Sequence, residues 1–351
     1  MNRTQNQQRT LLLAAMVVPA LLAVLAVAAF AWAAARIAPR DLPFGVAGPR
    51  AAAIAGQLDA QDPGAFAVHY YAGEAQARAA VRHRDIYGAV VTTPSGVSVL
   101  TASAASPLVA KLLAGAAAPQ ASPTASPPAA QASSVRVMDV VPASAKDPHG
   151  IAFGASLLPL VLIGSLTGVI ALAAVRAGLR RITALLAASA LVGLGVAGIM
   201  QGWLGVIPGN WAVNGAVLGL IVLAISSAVS GLGGLFGYPG LALGALLMVF
   251  VGNPFSGVTS APEMLPVPVG TIGQLMPAGA GQNLLRSTAF FSGYGAGGHL
   301  AVLLIWAAAG LTAVWAGSLR QQRPAPAGTA APATPAANHR PLGNLWPSRT
   351  S

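Results

Sequence analysis

Leu160-Val-Leu-Ile-Gly-Ser-Leu-Thr-Gly-Val-Ile-Ala-Leu-Ala-Ala-Val-Arg176-Ala-Gly-Leu-Arg180-Arg181-Ile-Thr-Ala-Leu-Leu-Ala-Ala-Ser-Ala-Leu-Val-Gly193 decides how this chain folds. Two uncharged apolar runs flank three arginines that fall within six positions. Working outward, the block Ile151–Leu319 covers 169 residues and adds only two charges, Glu263 and Arg286. A soluble domain carries about a quarter charged residues, so this block cannot make a water-facing surface. A bilayer is the solvent it fits, and the chain reads as a polytopic helical membrane protein.

Composition agrees: 55% of residues are hydrophobic and 8% charged, against a mean hydropathy of +0.68. With no cysteine, disulfides, thiolate ligands and cysteine nucleophiles are excluded. The five histidines are scattered without metal-ligand spacing, and no cofactor is expected. The net charge of +11 is distributed by side. Arg3, Arg9, Arg176, Arg180, Arg181, Arg320, Arg323, Arg340 and Arg349 fall in the ends and the one basic loop, with no acid beside them. That asymmetry is the positive-inside pattern, not the basic-aromatic face of a nucleic-acid binder.

Residues 1–10 read as a cytoplasmic N-terminus and 11–36 as a first transmembrane helix. Ala31-Trp32-Ala33 has the small-x-small form of a cleavage site, but the apolar run is longer than a signal h-region. An uncleaved anchor is therefore expected. Residues 37–149 read as a small extracytoplasmic α/β domain. Its expected strands are Phe44–Ala47, Ala65–Tyr71, Ile86–Thr92, Gly96–Thr101 and Val135–Val141. Its expected helices are Ala51–Ala60, Glu74–Arg84 and Pro107–Ala116. The Ala/Pro/Ser/Thr/Gln run 117–134 reads as a flexible linker. Five further spans fit 150–319, at 151–175, 182–204, 212–235, 238–253 and 297–319. Six spans place both termini inside a plasma membrane. The tail 320–351 reads as disordered. Gly164/Gly168, Gly215/Gly219 and Gly240/Gly244 are GxxxG pairs, read as close helix packing within the bundle in preference to a dimer face.

The polar segment 254–296 is too apolar for a solvated loop and too rich in proline for a span. It reads as short helices dipping into the outer leaflet, with Pro277 and Gly279 breaking the dip and Gln282–Phe291 leading back out. Glu263 and Arg286 are the only opposed charges in the block, so they are expected to pair as an outer gate or structural clasp. The spans as delimited carry no Asp, Glu, Lys or Arg, which disfavours proton- or sodium-coupled transport. No nucleophile elbow, phosphate loop or H-E-x-x-H is present, so no enzyme is expected.

One span, an outer domain and five spans together resemble the ABC-2-type permeases, closest to their phage-infection-protein (Pip)-like branch. Gly73-Glu-Ala-Gln-Ala-Arg-Ala-Ala-Val81 running into Ile86-Tyr-Gly-Ala-Val-Val91 resembles a helix-then-strand unit of that family. Asp139-Val-Val-Pro142, Asp147-Pro-His-Gly150 and Leu158-Pro-Leu160 resemble its approach to the second span. Asn253-Pro254, Leu275-Met-Pro277-Ala-Gly279, Arg286 and Phe290-Phe291 resemble its outer re-entrant segment. The resemblance implies a bacterial inner-membrane homodimer that exports a lipid, glycan or drug-like substrate with a separate cytoplasmic ABC ATPase. It also implies a cytoplasmic coupling loop at Arg176, Arg180 and Arg181. The family couples through an amphipathic N-terminal helix and a substantial second loop, where this chain has ten polar residues and six. The alternative expectation is a non-transporting Pip-like envelope protein whose outer domain binds a partner or phage.

Overall fold

The computed structural model describes residues 2–94, 96–117 and 134–321. Positions 118–133 of the expected linker and 322–351 of the expected tail lie outside the described residues. Helix α1 (Asn2–Ala35) is long and apolar, and Ala33 is its only buried residue among those described. Its sides are left to the surrounding lipid, as a run of Leu, Val and Ala without a polar face requires.

The domain that follows comprises β1 (Leu42–Ala47), α2 (Ala51–Gln61), β2 (Phe66–Tyr71), α3 (Glu74–His83), β3 (Gly88–Thr93), β4 (Gly96–Thr101), α4 (Pro107–Ala117) and β5 (Ser134–Asp139). The sheet order is β2-β1-β3-β4-β5, parallel except for the β3–β4 hairpin. Strand alternation sorts the two faces. Phe44, Val46, Val90 and Val99 meet α2 and α4, while Ala47, Ala89, Val91 and Leu100 meet α3. The N-terminal ends of β1 and β3 face the helical bundle. There Ala38 N donates to Met264 O at 3.0 Å, and Arg40 Nη1 donates to the same oxygen at 2.9 Å.

The bundle comprises α5 (Ile151–Ala155), α6 (Leu157–Ala174), α7 (Leu179–Ala197), α8 (Trp211–Phe236), α9 (Tyr238–Leu246), α10 (Val269–Gln274), α11 (Pro277–Phe290) and α12 (Ala296–Gln321). Among the described residues five stretches are long and apolar enough to cross a membrane: Gln5–Ala35, Ile151–Ala174, Leu179–Trp203, Trp211–Phe236 and Ala296–Arg320. The chain is a helical membrane protein carrying a small α/β domain. Helix α9, with the π-helical turn Leu247–Gly252 that continues it, is shorter. At the helical rise it reaches at most about 22 Å, against about 30 Å of hydrocarbon.

Helix α8 is the hub, with α6, α7, α9, α11 and α12 packed around it. Small residues let them approach: a Cβ on Gly168 would strike the Ser226 carbonyl, and one on Gly193 the backbone of Gly219. Gly164 faces Ile225, Gly215 faces Leu194, Gly240 the Leu232 carbonyl and Gly244 Val229. These glycines thus serve packing within the chain.

One expected loop is different. Arg180 and Arg181 belong to the first turn of α7, and Arg181 is only 3% exposed. Its Nη2 donates to the carbonyls of Leu172 and Val175 at 3.2 and 3.0 Å, and its Nε to Val175 O at 3.3 Å. The last carbonyls of a helix have no partner within it, and this guanidinium satisfies those of α6. Arg181 is a staple between two spans, while Arg176 and Arg180 are exposed.

Candidate functional site

Helix α11 is the least expected part of the bundle. Twelve of its fourteen residues are buried, so protein rather than lipid encloses it. Pro277 opens the helix instead of breaking it, because proline in the first turn lacks only an N–H that would be unpaired there. Gly279 lies inside α11 against the Gly273 carbonyl, where any Cβ would collide with backbone. The turn between α10 and α11 sits deep. Leu275 O accepts from Trp306 Nε1 at 2.7 Å, and Trp306 lies ten residues along α12 from Ala296, about 15 Å from its N-terminal end. On the other side Gly281 packs on Ile221, ten residues into α8. The hairpin therefore dips to roughly mid-depth, and its non-helical backbone is shielded by protein, as a bilayer demands.

Polar side chains on α11 fall at i, i+4: Gln282 with Arg286, and Asn283 with Ser287. All four are buried. Gln274 Nε2 and Gln282 Nε2 both donate to Ser256 O, at 2.9 and 2.7 Å. Arg286 Nη1 donates to Gln282 Oε1 at 3.1 Å and Nη2 to Val258 O at 2.7 Å, while its guanidinium lies 4.7 Å from the Phe153 ring. Asn283 Nδ2 donates to Gln274 Oε1 at 2.6 Å.

The network is completed from the outer domain. Arg84 ends α3 in a left-handed turn (φ 64°) and reaches down to α11. Its Nη1 donates to Asn283 O at 2.9 Å and to Ser287 Oγ at 2.5 Å, and its Nη2 to Asn283 Oδ1 at 2.9 Å. It also lies 5.1 Å from the Phe291 ring, while the neighbouring His83 stacks on Tyr294 at 4.2 Å. Tyr87 donates from its hydroxyl to Glu263 Oε2 at 2.8 Å. Burial pulls the Arg84 guanidinium below its ordinary value, and the Tyr87 and Glu263 charges pull it back. Burial pushes the Tyr87 phenol well above its ordinary value, with the Glu263 charge adding and the Arg84 charge opposing. The phenol therefore stays a donor through the physiological range.

The expected Glu263–Arg286 clasp is not formed. Among the described residues the only ion pair within 4.0 Å is Arg78–Glu74 on α3. Glu263 is taken by Tyr87, and Arg286 by a carbonyl, an amide and a ring. The physical reason is that Arg286 is already buried with neutral partners, so Glu263 stays half-buried on Tyr87 instead of being desolvated beside it. Arg84, Tyr87, Glu263, Gln274, Asn283 and His299 line a polar cavity of about 200 Å³ between domain and bundle. No three His, Asp or Glu side chains come together to hold a metal among the described residues. The arrangement makes the α/β domain and the α10–α11 hairpin one hydrogen-bonded body.

Sequence reasoning singled out Arg286, Pro277, Gly279 and Glu263 and missed Arg84, Tyr87, Asn283 and Gln274. The i, i+4 polar pairs on α11 were a readable signal. Nothing local marks Arg84, which looks like one more charge at a helix end. No family model, curated protein or solved structure matches this chain.

Proposed function

We propose that this chain is a bacterial plasma-membrane permease of the ABC-2 kind, moving a hydrophobic or amphiphilic substrate as a homodimer driven by a separate cytoplasmic ATPase. The observation that carries this reading is the bonded body formed by the outer domain and the α10–α11 hairpin. It reaches from outside the bundle to mid-depth through Arg84, Asn283, Gln274 and Trp306. Tilting of the spans at their inner ends would move it as a unit and open or close the outer mouth. The five long spans hold no Asp or Glu, so an ion gradient has no carboxylate to act on, and the energy comes from a partner.

Six crossings and inner termini fit this reading. Met264 is bonded to Ala38 just past α1, while Gly209, before α8, lies against Ala289 at the same end. Phe236 ends α8 a full span away, so the chain returns between Phe236 and Met264, and α9 with its π-turn is the segment available. With six crossings, Arg176, Arg180, Arg320 and the N-terminal arginines would share one side, in keeping with the positive-inside pattern.

A second reading has its own support. The α6–α7 connection is only Val175–Gly178 and the α8–α9 connection only Gly237, which leaves an ATPase little inner surface to push. This favours the stand-alone Pip-like envelope protein. The deciding experiment is a gentle pull-down of the tagged protein from its native membrane. Stoichiometric recovery of a nucleotide-binding subunit that survives washing supports the permease; its absence from well-folded protein moves the assignment to the second reading.

A further inference from the structure

A second cavity lies away from the joint, within the α/β domain. About 470 Å³ lies open between α2, α4 and the sheet face they share, within the range of small-molecule sites. Its walls are mostly apolar, with Phe44 and Val90 from the sheet, Ile54 and Leu58 from α2, and Val109 and Leu113 from α4, while Gln57 and Gln61 of α2 add two amides. The α2 residues recur at helical spacing, so one continuous stripe of that helix is given to the groove. An ordinary α/β domain closes such helices over the sheet; here the stripe stays partly open, and Leu112 remains 47% exposed.

The two ends of the groove differ. Pro39, Leu42 and Phe66 line the end beside the bundle, where β1 and β2 begin and Pro39 lies four residues past the last residue of α1. Arg50 and Thr92 line the opposite end, at the carboxyl ends of β1 and β3, the usual place for ligands on open α/β sheets. The Thr92 hydroxyl is committed, accepting from Arg50 N and donating to Ala47 O, both at 3.2 Å. The Arg50 guanidinium is not: among the described residues it makes no hydrogen bond or ion pair.

We propose that this groove binds one chain of an anionic amphiphile drawn from the outer leaflet of the bilayer, with the chain against Phe44, Leu58 and Leu113 and the acidic head on Arg50. The polarity of the groove matches that of the leaflet: tail toward the bundle, head away from it. A lipid leaving the membrane beside α1 enters without turning over. The charge disfavours a cationic amphiphile, since nothing acidic lines the groove among the described residues. This site takes its biological setting from the amphiphile-permease reading, while its occupancy is read independently of any ATPase.

The test uses the full-length protein in lipid nanodiscs and two photoreactive probes of equal chain length. One is an alkyl phosphate and the other an alkyl trimethylammonium, each with a diazirine at the chain end. The alkyl phosphate is expected to label peptides containing Leu42 or Phe66, and the ammonium probe only the spans. Ala53→Trp on α2 and Ala116→Trp on α4 fill the groove from exposed positions, so folding is not at stake. Each should cut groove labelling about tenfold, while Ala60→Trp, exposed on α2 but off the groove, should not. Arg50→Glu should reverse the preference between the probes. Labelling confined to the spans, equal labelling by both probes, or equal effects of Ala53→Trp and Ala60→Trp would each overturn the proposal. A permease that lacks an ATPase partner yet labels at the groove would fail the functional reading alone.

Discussion

Arg84 carries more of the joint than any other side chain, because one guanidinium satisfies two acceptors on Asn283 and one on Ser287. Arg84→Ala removes the donor from groups that are themselves buried. We expect it to lower stability by about 2 kcal/mol, as for hydrogen bonds from charged donors. Thermal melting in detergent should show this for Arg84→Ala and little change for the exposed neighbour Arg82→Ala; equal shifts would rule out the tie. Tyr87 gives a pH signature. Its phenol is held above its ordinary value when folded, so the unfolded state releases the proton first. The bond to Glu263 is therefore fully stabilising below about pH 10 and is lost as pH rises toward the folded value. A Tyr87→Phe variant should lack that alkaline loss, read as melting temperature against pH. At this scale the sequence was half legible. Arg286 stood out because charges are rare in its block, but its supposed partner was chosen from the same block. The true partner of Glu263 lies in another domain, at a separation that no local spacing reports.

The re-entrant hairpin depends on close backbone approach. A side chain at Gly279 meets the Gly273 carbonyl, and backbone cannot give way. Gly279→Val should cost about 1–3 kcal/mol or unseat α11. Gly195→Val, where nothing lies within 4 Å, is the control. Protease sensitivity of the 254–296 segment is the measurement, and equal sensitivity in both variants would count against the packing argument. Elements of the outer domain were legible almost to the residue, because period-two strands and helical stripes alternate with clear turns. The start of α11 was misplaced because Pro277 reads as a breaker unless its position in the first turn is known. The role of Arg181 was hidden in the same way: its partners are carbonyls of a preceding helix, which a sequence does not display.

For the whole molecule, composition alone announces a membrane protein, and the structure adds how the outer domain is fastened to it. The chain has no cysteine, so single cysteines report topology cleanly. With six crossings, a cysteine at Gly237 should react with an impermeant maleimide only after the membrane is opened, and one at Ser144 should react in intact cells. Reaction of both in intact cells would mean that α9 does not return the chain across the membrane. The sequence reads six spans, of which five are long enough to cross; the fifth expected one, 238–253, forms the shorter α9 and its π-turn, because Pro254 and the glycines around it end the helix early.

The brevity of α9 also acts on the lipid. A hydrophobic segment roughly 8 Å shorter than the hydrocarbon creates a mismatch, and the bilayer meets it by thinning locally. Leu243, 59% exposed, shows that part of this helix faces the surroundings rather than the bundle. On the proposed six-span reading, lipid beside α9 would be compressed and poorly packed, at a face of the protein where leaving the membrane would cost an amphiphile least.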